Sequence, residues 1–311
     1  MILVVGLSPA WQRTLVFDEI ITGKVNRAER VSETASGKGV NVARVASILG
    51  ADAKLLTVAG GPRGRLLEAE LKRQRLNARV VSVRAETRIC QTLISRGPTT
   101  ELVEEAGPLR GAEVREVLRA FAAEAREAEL VVLTGTVPSG CGDDFYGRLV
   151  RESQGRGVPV LIDAQKVQLL DALNQHPFLV KINRDELAGA TRVKGGGQAS
   201  TLRALRKLMR SGPQWAVITD GAGSVRVSER PGDRALFLKP PRVKAINPIG
   251  SGDAMTAGIA VGLLRGQPML EAVRLGIACG AANAMTAEPG FVRLPDVKRL
   301  CSTLPRRVPI V

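Results

Sequence analysis

The chain has 311 residues, 44% of them hydrophobic: enough for a packed core, too many for a disordered chain, and suited to two modest domains or one large α/β domain with an insert. Its formal charge of +15 favours acidic partners, whether phosphorylated metabolites, nucleic acid or a membrane surface, but the cations are dispersed without a run of five and aromatics are 3%, which argues against a nucleic-acid groove; no apolar run approaches the ~20 residues of a membrane span. One histidine, His176 in "NQHPF", and four scattered cysteines (Cys90, Cys141, Cys279, Cys301) leave no triad, disulfide framework or zinc site to build, fit a reducing cytoplasm, and pass proton transfer to a carboxylate, a lysine or Tyr146.

The start, "MILVVGLSPAW", has no basic leader region and reads as a first strand (2–7) rather than a signal peptide. Residues 12–33 then mix polar and apolar side chains at period two and carry Lys24. "ASGKGVNVARVASILG" (35–50) reads as a tight turn into an amphipathic helix over 38–50. It is not a P-loop, because Gly39 follows Lys38 and Ser32 stands at the first glycine position. It is not a dinucleotide fingerprint either, because Val42 follows Gly37 and Gly39 at the third glycine position. Polar Asn41, set among small residues on the first turn, could hydrogen-bond a ligand.

A strand at 53–60 and a helix at 63–75 follow, and then a second period-two segment, 86–105, with a "RGPTT" turn inside it and Arg88 near its start. It reads as a hairpin. With 12–33 it makes a small sheet outside the main one, a lid or an interface. Next come a helix at 111–127, a strand at 129–135 with the small-residue loop "LTGTVPSG", a helix at 143–155 and strands at 158–164 and 177–183. In "VKINRDEL" the N-x-x-E spacing of Asn183 and Glu186 is that of a capping box. It also suits two side chains facing one spot at a strand end, where they could hold a magnesium ion's water shell. A helix at 198–211 and a strand at 215–221 follow, and "DGAGSVR" (220–226) fails the dinucleotide test at Arg226. Short apolar strands alternating with helices predict a parallel sheet covered on both faces.

"NPIGSGDAMTAG" (247–258) opens the mostly helical last third, 252–304. Glycines before a helix leave bare N–H groups at its positive end, which suits an anion. Asp253 in that first turn is either an ordinary helix-start carboxylate or a base beside the anion pocket, as phosphoryl transfer requires.

Taken in order, these motifs resemble the ribokinase-like sugar kinases, in the phosphofructokinase B branch that holds 1-phosphofructokinase and tagatose-6-phosphate kinase. "SGKGVNVARVASILG" is similar to the family's first signature and "NPIGSGDAMTAGIA" to its second. "GLSPAWQ", "ETRIC", "TELVEEAGP", "LTGTVPSG", "VKINRDE", "KPPRV" and "CGAANAM…GFV" fall between or after them. The resemblance implies one α/β kinase domain over 1–311, with a mostly parallel sheet and a β-sheet lid from 12–33 and 86–105 that often forms homodimers. It implies ATP and Mg2+, with Asp253 as base and Gly250, Ser251 and Gly252 with the Asp253 N–H as anion hole. Gly37, Gly39 and Asn41 would line the sugar, and Arg88 and Lys24 would reach phosphates from the lid. Asn183 and Glu186 would organise magnesium, Thr219, Gly221 and Gly223 would border the nucleotide, and Asn283 would lie near adenine.

Gln12 departs from the family's common Asp, as do Ser8 from Asn, Ser36 from Gly and Ile182 from Pro; three of these four positions belong to the sugar half or its border. The reaction expected is phosphoryl transfer to a ketohexose monophosphate, first fructose 1-phosphate, with tagatose 6-phosphate or fructose 6-phosphate as alternatives. A sugar-phosphate sensor without turnover is the rival from another class; nucleic-acid and membrane partners are not expected.

Overall fold

The structure, a computed structural model, describes residues 1–195, 197–232 and 234–305. β1 (Ile2–Val5) enters the centre of the main sheet. β2 (Ala10–Val16) and β3 (Arg30–Ser36) leave it as an antiparallel pair, and α1 (Lys38–Ile48) returns. β4 (Ala53–Ala59), α2 (Gly61–Arg73) and β5 (Asn77–Ser82) build one edge, and β6 (Arg88–Ile94) and β7 (Thr100–Val103) go out again as a hairpin. The other half follows strand by helix through α3 (Gly111–Glu124), β8 (Leu130–Thr134), α4 (Phe145–Gln154), β9 (Val160–Asp163), α5 (Lys166–Leu173) and β10 (Leu179–Asn183). Then α6 (Arg184–Thr191) and α7 (Gln198–Arg210) lead to β11 (Trp215–Asp220), β12 (Ser224–Glu229) and β13 (Ala235–Leu238). Three helices, α8 (Ser251–Leu264), α9 (Met269–Ala284) and α10 (Leu294–Thr303), complete the chain.

Among the described residues the main sheet has nine strands in the order β13-β12-β11-β10-β9-β8-β1-β4-β5. It is parallel from β5 to β11, and β12 and β13 add an antiparallel edge. Strand alternation divides the core. Ile2 and Val4 pack with the helices α1, α8, α9 and α10 on one face, while Leu3 and Val5 pack with α3, α4, α5 and α7 on the other. The β-branched runs expected to be strands are therefore buried on both faces. This architecture is the ribokinase-like α/β fold. Sequence patterning did not foresee β5, β12, β13 or α5, whereas the capping box at Asn183 marks the start of α6. Polar residues punctuate "SVRVSE", because β12 lies near the antiparallel edge rather than in the parallel centre.

The second sheet runs β3-β2-β6-β7, with β2 parallel to β6 and the outer strands antiparallel. It forms where 12–33 and 86–105 read at period two, although β2 begins at Ala10, β3 continues to Ser36, and 17–29 contains no strand. Gln12 pairs with Cys90 and Thr14 with Thr92, all four buried on one face. Opposite lie Trp11, Leu15, Ile89 and Leu93, half-buried, with Val31 and Leu102 exposed.

Helix α8 fixes the site. Its residues from Asp253 to Gly262 are all buried, and it packs closely on α9: a Cβ on Gly258 would stand 2.7 Å from Gly276 Cα. Small residues in "AMTAGIAVG" permit that approach and so set where the helix begins.

Candidate active site

A cleft of 1060 Å³ opens where the C-terminal ends of the main strands meet the starts of α1 and α8, under the buried face of the small sheet. Open α/β sheets take ligands there. At the cleft floor Gly250 caps α8 at φ 81°, a left-handed conformation that suits glycine. A Cβ on Gly250 would meet Gly290 N at 2.7 Å, and a Cβ on Gly290 would meet Asn41 at 2.6 Å, so the two glycines let three segments converge. The Ser251 N–H donates to Pro248 O at 3.2 Å. Among the described residues, the N–H groups of Gly252 and Asp253 have no backbone acceptor, because residues 248 and 249 precede the helix. These two free donors could receive an anion, with Gly250 and Ser251 beside them.

Asp253 stands at this helix start, buried, and accepts a hydrogen bond on Oδ2 from Asn41 Nδ2 at 2.8 Å. Burial pushes its carboxyl up to about 6, against the pull of Lys38, the Asn41 hydrogen bond and Lys181; the negative charge of Asp163 adds to the rise. An ordinary helix-start carboxylate is solvated. This one is desolvated, lines the cleft and titrates near neutrality, as a base for a hydroxyl should.

Behind it is a buried charge cluster. Asp163, at the end of β9, binds Lys181 Nζ at 2.9 Å through Oδ2 and Lys38 Nζ at 3.1 Å through Oδ1, and Thr256 Oγ1 of α8 donates to Oδ2 at 2.7 Å. Burial alone would raise the Asp163 carboxyl, but the two lysines and these hydrogen bonds hold it well below the usual range. Burial likewise works against the Lys38 ammonium, yet Asp163, Asp253 and Glu186 together hold its pKa above the usual range. Lys181 Nζ lies 3.1 Å from where a Gly252 Cβ would stand, so a cation adjoins the anion pocket. Sequence reasoning passed over Asp163, Lys38, Lys181 and Thr256 as site residues. The available signal was a charge at the end of one apolar strand run, "VLID", and inside another, "LVKIN", where no charge stays buried without a partner.

Asn183 and Glu186 do form a capping box. Asn183 Oδ1 accepts from Glu186 N at 2.8 Å and Glu186 Oε2 from Asn183 N at 2.8 Å. Both also line the cleft, so the two readings of N-x-x-E coexist. For a magnesium ion, Glu186 supplies a hard oxygen, Oε1, that has no hydrogen-bond partner among the described residues. The Asn183 oxygen and both Asp163 oxygens are engaged. Among the described residues no group of three or more His, Cys, Asp or Glu converges as a cage. The donor set therefore fits an ion held through water and substrate phosphates rather than a protein cage.

At the other end of the cleft lie Gly37, Gly39, Asn41, Gln12 and Arg88. Gly39 crosses β1 so closely that its Cβ would meet Gly6 Cα at 2.6 Å. Gln12 Nε2 donates to Thr92 Oγ1 at 2.9 Å and to Arg13 O at 3.2 Å. A carbonyl only accepts, so Arg13 O fixes the amide, and Gln12 offers the cleft an acceptor alone. The donor that glutamine adds over aspartate is spent inside the sheet. Arg88 Nη1 and Nη2 are held by Glu104 O at 2.9 Å and Ser8 O at 3.0 Å, and its Nε is buried without a partner among the described residues. Thr219, near the end of β11, and Gly221, in the turn after it, also line the cleft.

Three expected site residues stand elsewhere. Lys24 is exposed on the 17–29 loop and does not line the cleft. Gly223 closes the turn after β11 by donating to Asp220 O at 2.8 Å, with Gly221 and Ala222 taking the cleft wall instead. Asn283 is fully buried beneath the wall. Its Nδ2 donates to Ile249 O at 2.8 Å and Ser251 Oγ at 3.2 Å, and its Oδ1 accepts from Gly290 N at 2.8 Å. It knits the glycine loop together rather than facing a base. Tyr146 is likewise a strut, donating to Thr134 O and Gly135 O, with its phenol pushed up by burial.

Three comparisons bear on this geometry. The profile of the pfkB family carbohydrate kinases matches residues 1–295. A tagatose-6-phosphate kinase of Staphylococcus epidermidis is 29% identical over 295 residues, 94% of this chain and 94% of that protein. Among solved structures, a possible 1-phosphofructokinase from Thermotoga maritima superposes with a TM-score of 0.90 at 23% identity, over 100% of this chain and 99% of that one. Phosphofructokinase-2 from Escherichia coli, in complex with substrates and products, superposes at 0.87 and 23% identity, over 97% and 98%.

Proposed function

The chain belongs to the pfkB family of carbohydrate kinases, and from that premise we propose that it transfers the γ-phosphoryl group of ATP to the terminal hydroxyl of a ketohexose monophosphate. The observation that carries the reading is Asp253: a buried carboxylate, raised to about 6, at a helix start whose free N–H groups and adjoining Lys181 await an anion. The acceptor hydroxyl gives its proton to Asp253 as its oxygen attacks the γ-phosphorus and the bond to ADP breaks. The Gly252 and Asp253 N–H groups and Lys181 take up the charge of the phosphoryl oxygens. Magnesium, when bound with the triphosphate near Glu186, would neutralise phosphate charge. Gln12 and Asn41 orient the sugar, and Arg88, held open by two carbonyls, meets its phosphate with a fork suited to that geometry. The small sheet serves as a lid that excludes water, so that ATP is not hydrolysed idly.

Fructose 1-phosphate is the first acceptor we propose. Tagatose 6-phosphate is the second, favoured by the curated relatives of that name. Ser8, Gln12 and Arg88 all line the cleft, but the Ser8 hydroxyl is engaged with Thr136, donating to Thr136 O at 2.8 Å, so Gln12 and Arg88 are the positions we propose to select the sugar. The apolar outer face of the lid, Trp11 to Leu102, suits a second copy of the chain, and four free thiols suit a reducing cytoplasm. ADP release with magnesium-ATP across fructose 1-phosphate, tagatose 6-phosphate, fructose 6-phosphate and the free sugars tests the reading. Turnover confined to the phosphorylated ketoses is expected; binding of them without turnover would make the protein a sensor instead.

A further inference from the structure

Asn41 is an amide with two possible orientations, and the structure contains a device that allows one. Arg44, a turn later on α1, is 2% exposed, and its hydrogen-bond partners are all neutral acceptors. Its Nε donates to Gln74 Oε1 at 2.6 Å, its Nη2 to Ala35 O, and its Nη1 to Pro289 O and to Asn41 Oδ1, each at 3.3 Å. The guanidinium lies over the Phe291 ring, 4.5 Å from its centroid. Glu70, Glu288 and Arg73 are the charged groups that bear on it. Ser36 Oγ adds a hydrogen bond to the same Asn41 Oδ1 at 3.0 Å. A guanidinium only donates, so a flipped Asn41 would set N–H against N–H inside a desolvated site. The amide must therefore turn Oδ1 to Arg44 and Ser36 and Nδ2 to Asp253.

We propose that Arg44 and Ser36 are positioning residues of the reaction, which lock the Asn41 amide so that it holds Asp253 Oδ2 and leaves Oδ1 for the acceptor hydroxyl. The proposal rests on Asp253 being the base. Ser36 and Ala35 also end β3, so the lock is anchored in the small sheet: the strand that covers the sugar and the carboxylate that deprotonates it share one hydrogen-bonded joint.

Ser36→Ala and Arg44→Lys test this. Each is expected to lower kcat about tenfold, the worth of one hydrogen bond to a charged site, with KM for magnesium-ATP unchanged. The acid limb of the kcat/KM profile should move to higher pH, because a loosened Asn41 no longer favours the ionised carboxylate. The charges facing Asp253 from other elements are Lys38, Asp163 and Lys181, and neither variant touches them. In an Asn41→Ala background, Ser36→Ala should have no further effect. Wild-type kcat with an unmoved acid limb in either variant, or the same loss with Asn41 absent, would overturn the proposal, since a purely structural role predicts one of these. Asp253→Asn measured beside them separates the two readings. Near-normal turnover there rejects the base itself, whereas an inactive Asp253→Asn beside a wild-type Ser36→Ala and Arg44→Lys rejects the positioning alone.

Discussion

At the residue scale, the proposed role of Asp253 sets function against stability. Its folded-state pKa of about 6 lies above the roughly 3.9 of an unfolded aspartate, so the folded chain keeps a proton across that window. Stability falls as pH rises from about 4 to 6 and does not recover above. Asp253→Asn, which never ionises, should unfold later than wild type at pH 7.5, by on the order of 1–3 kcal/mol, in a denaturant titration without substrates. Activity runs the other way: kcat/KM should fall as pH drops through about 6, because the protonated carboxyl cannot accept. Gln12 is the second residue on which the proposed function turns. With its donors bound to Thr92 and Arg13 it mimics the acceptor face of an aspartate without the charge. Gln12→Asp should therefore reorder kcat/KM among the sugar phosphates while leaving KM for ATP in place; an unchanged order would remove position 12 from sugar selection.

At the element scale, α8 is aimed by its neighbours more than by its own sequence. Asp163 on β9 fastens Lys38 of α1, Lys181 of β10 and Thr256 of α8 to one point. Its carboxyl is depressed in the folded state, so its stabilisation is fully present above the unfolded pKa and lost as pH falls below it. Asp163→Asn leaves the buried Lys181 ammonium facing a neutral amide, with the part-exposed Lys38 beside it, and should cost on the order of 3–5 kcal/mol at pH 7, read as a lower denaturation midpoint. Legibility follows the same physics. The strands of the parallel centre could be read because burial on both faces makes them continuously apolar. The small sheet could be read because one covered face imposes period two. Asp253 and its glycines could be read as a helix start because a helix start has a local signature. Asp163 and Lys181 could be read only as charges that burial obliges to find partners; that they partner each other lies in a contact between β9 and β10 that no local pattern encodes. Asn283 and Gly223, which the family resemblance assigned to the nucleotide, are instead turned by hydrogen bonds into the glycine loop and into the turn after β11.

At the scale of the whole molecule, the main sheet supplies a rigid floor and the small sheet a cover joined to it at Ser8–Ala10, at Ser36–Lys38 and around Arg88. The outer face of that cover carries Trp11, Leu15, Ile89 and Leu93 in half-buried positions and Val31 and Leu102 in the open. If two copies meet there, Leu15→Glu should shift the protein to monomer in analytical ultracentrifugation and raise KM for the sugar phosphate, since each lid would lose its support. A wild type that sediments as a monomer would remove the lid from any assembly role. The central claim is that this cleft phosphorylates a ketohexose monophosphate with Asp253 as base. Its most direct test is the magnesium-ATP-dependent conversion of fructose 1-phosphate and tagatose 6-phosphate to bisphosphates, by wild type and Asp253→Asn side by side. The account predicts a bisphosphate from wild type and a loss of roughly 10²–10⁴-fold in the variant with ATP still bound. No bisphosphate from either sugar phosphate, or equal rates in the two proteins, would contradict it.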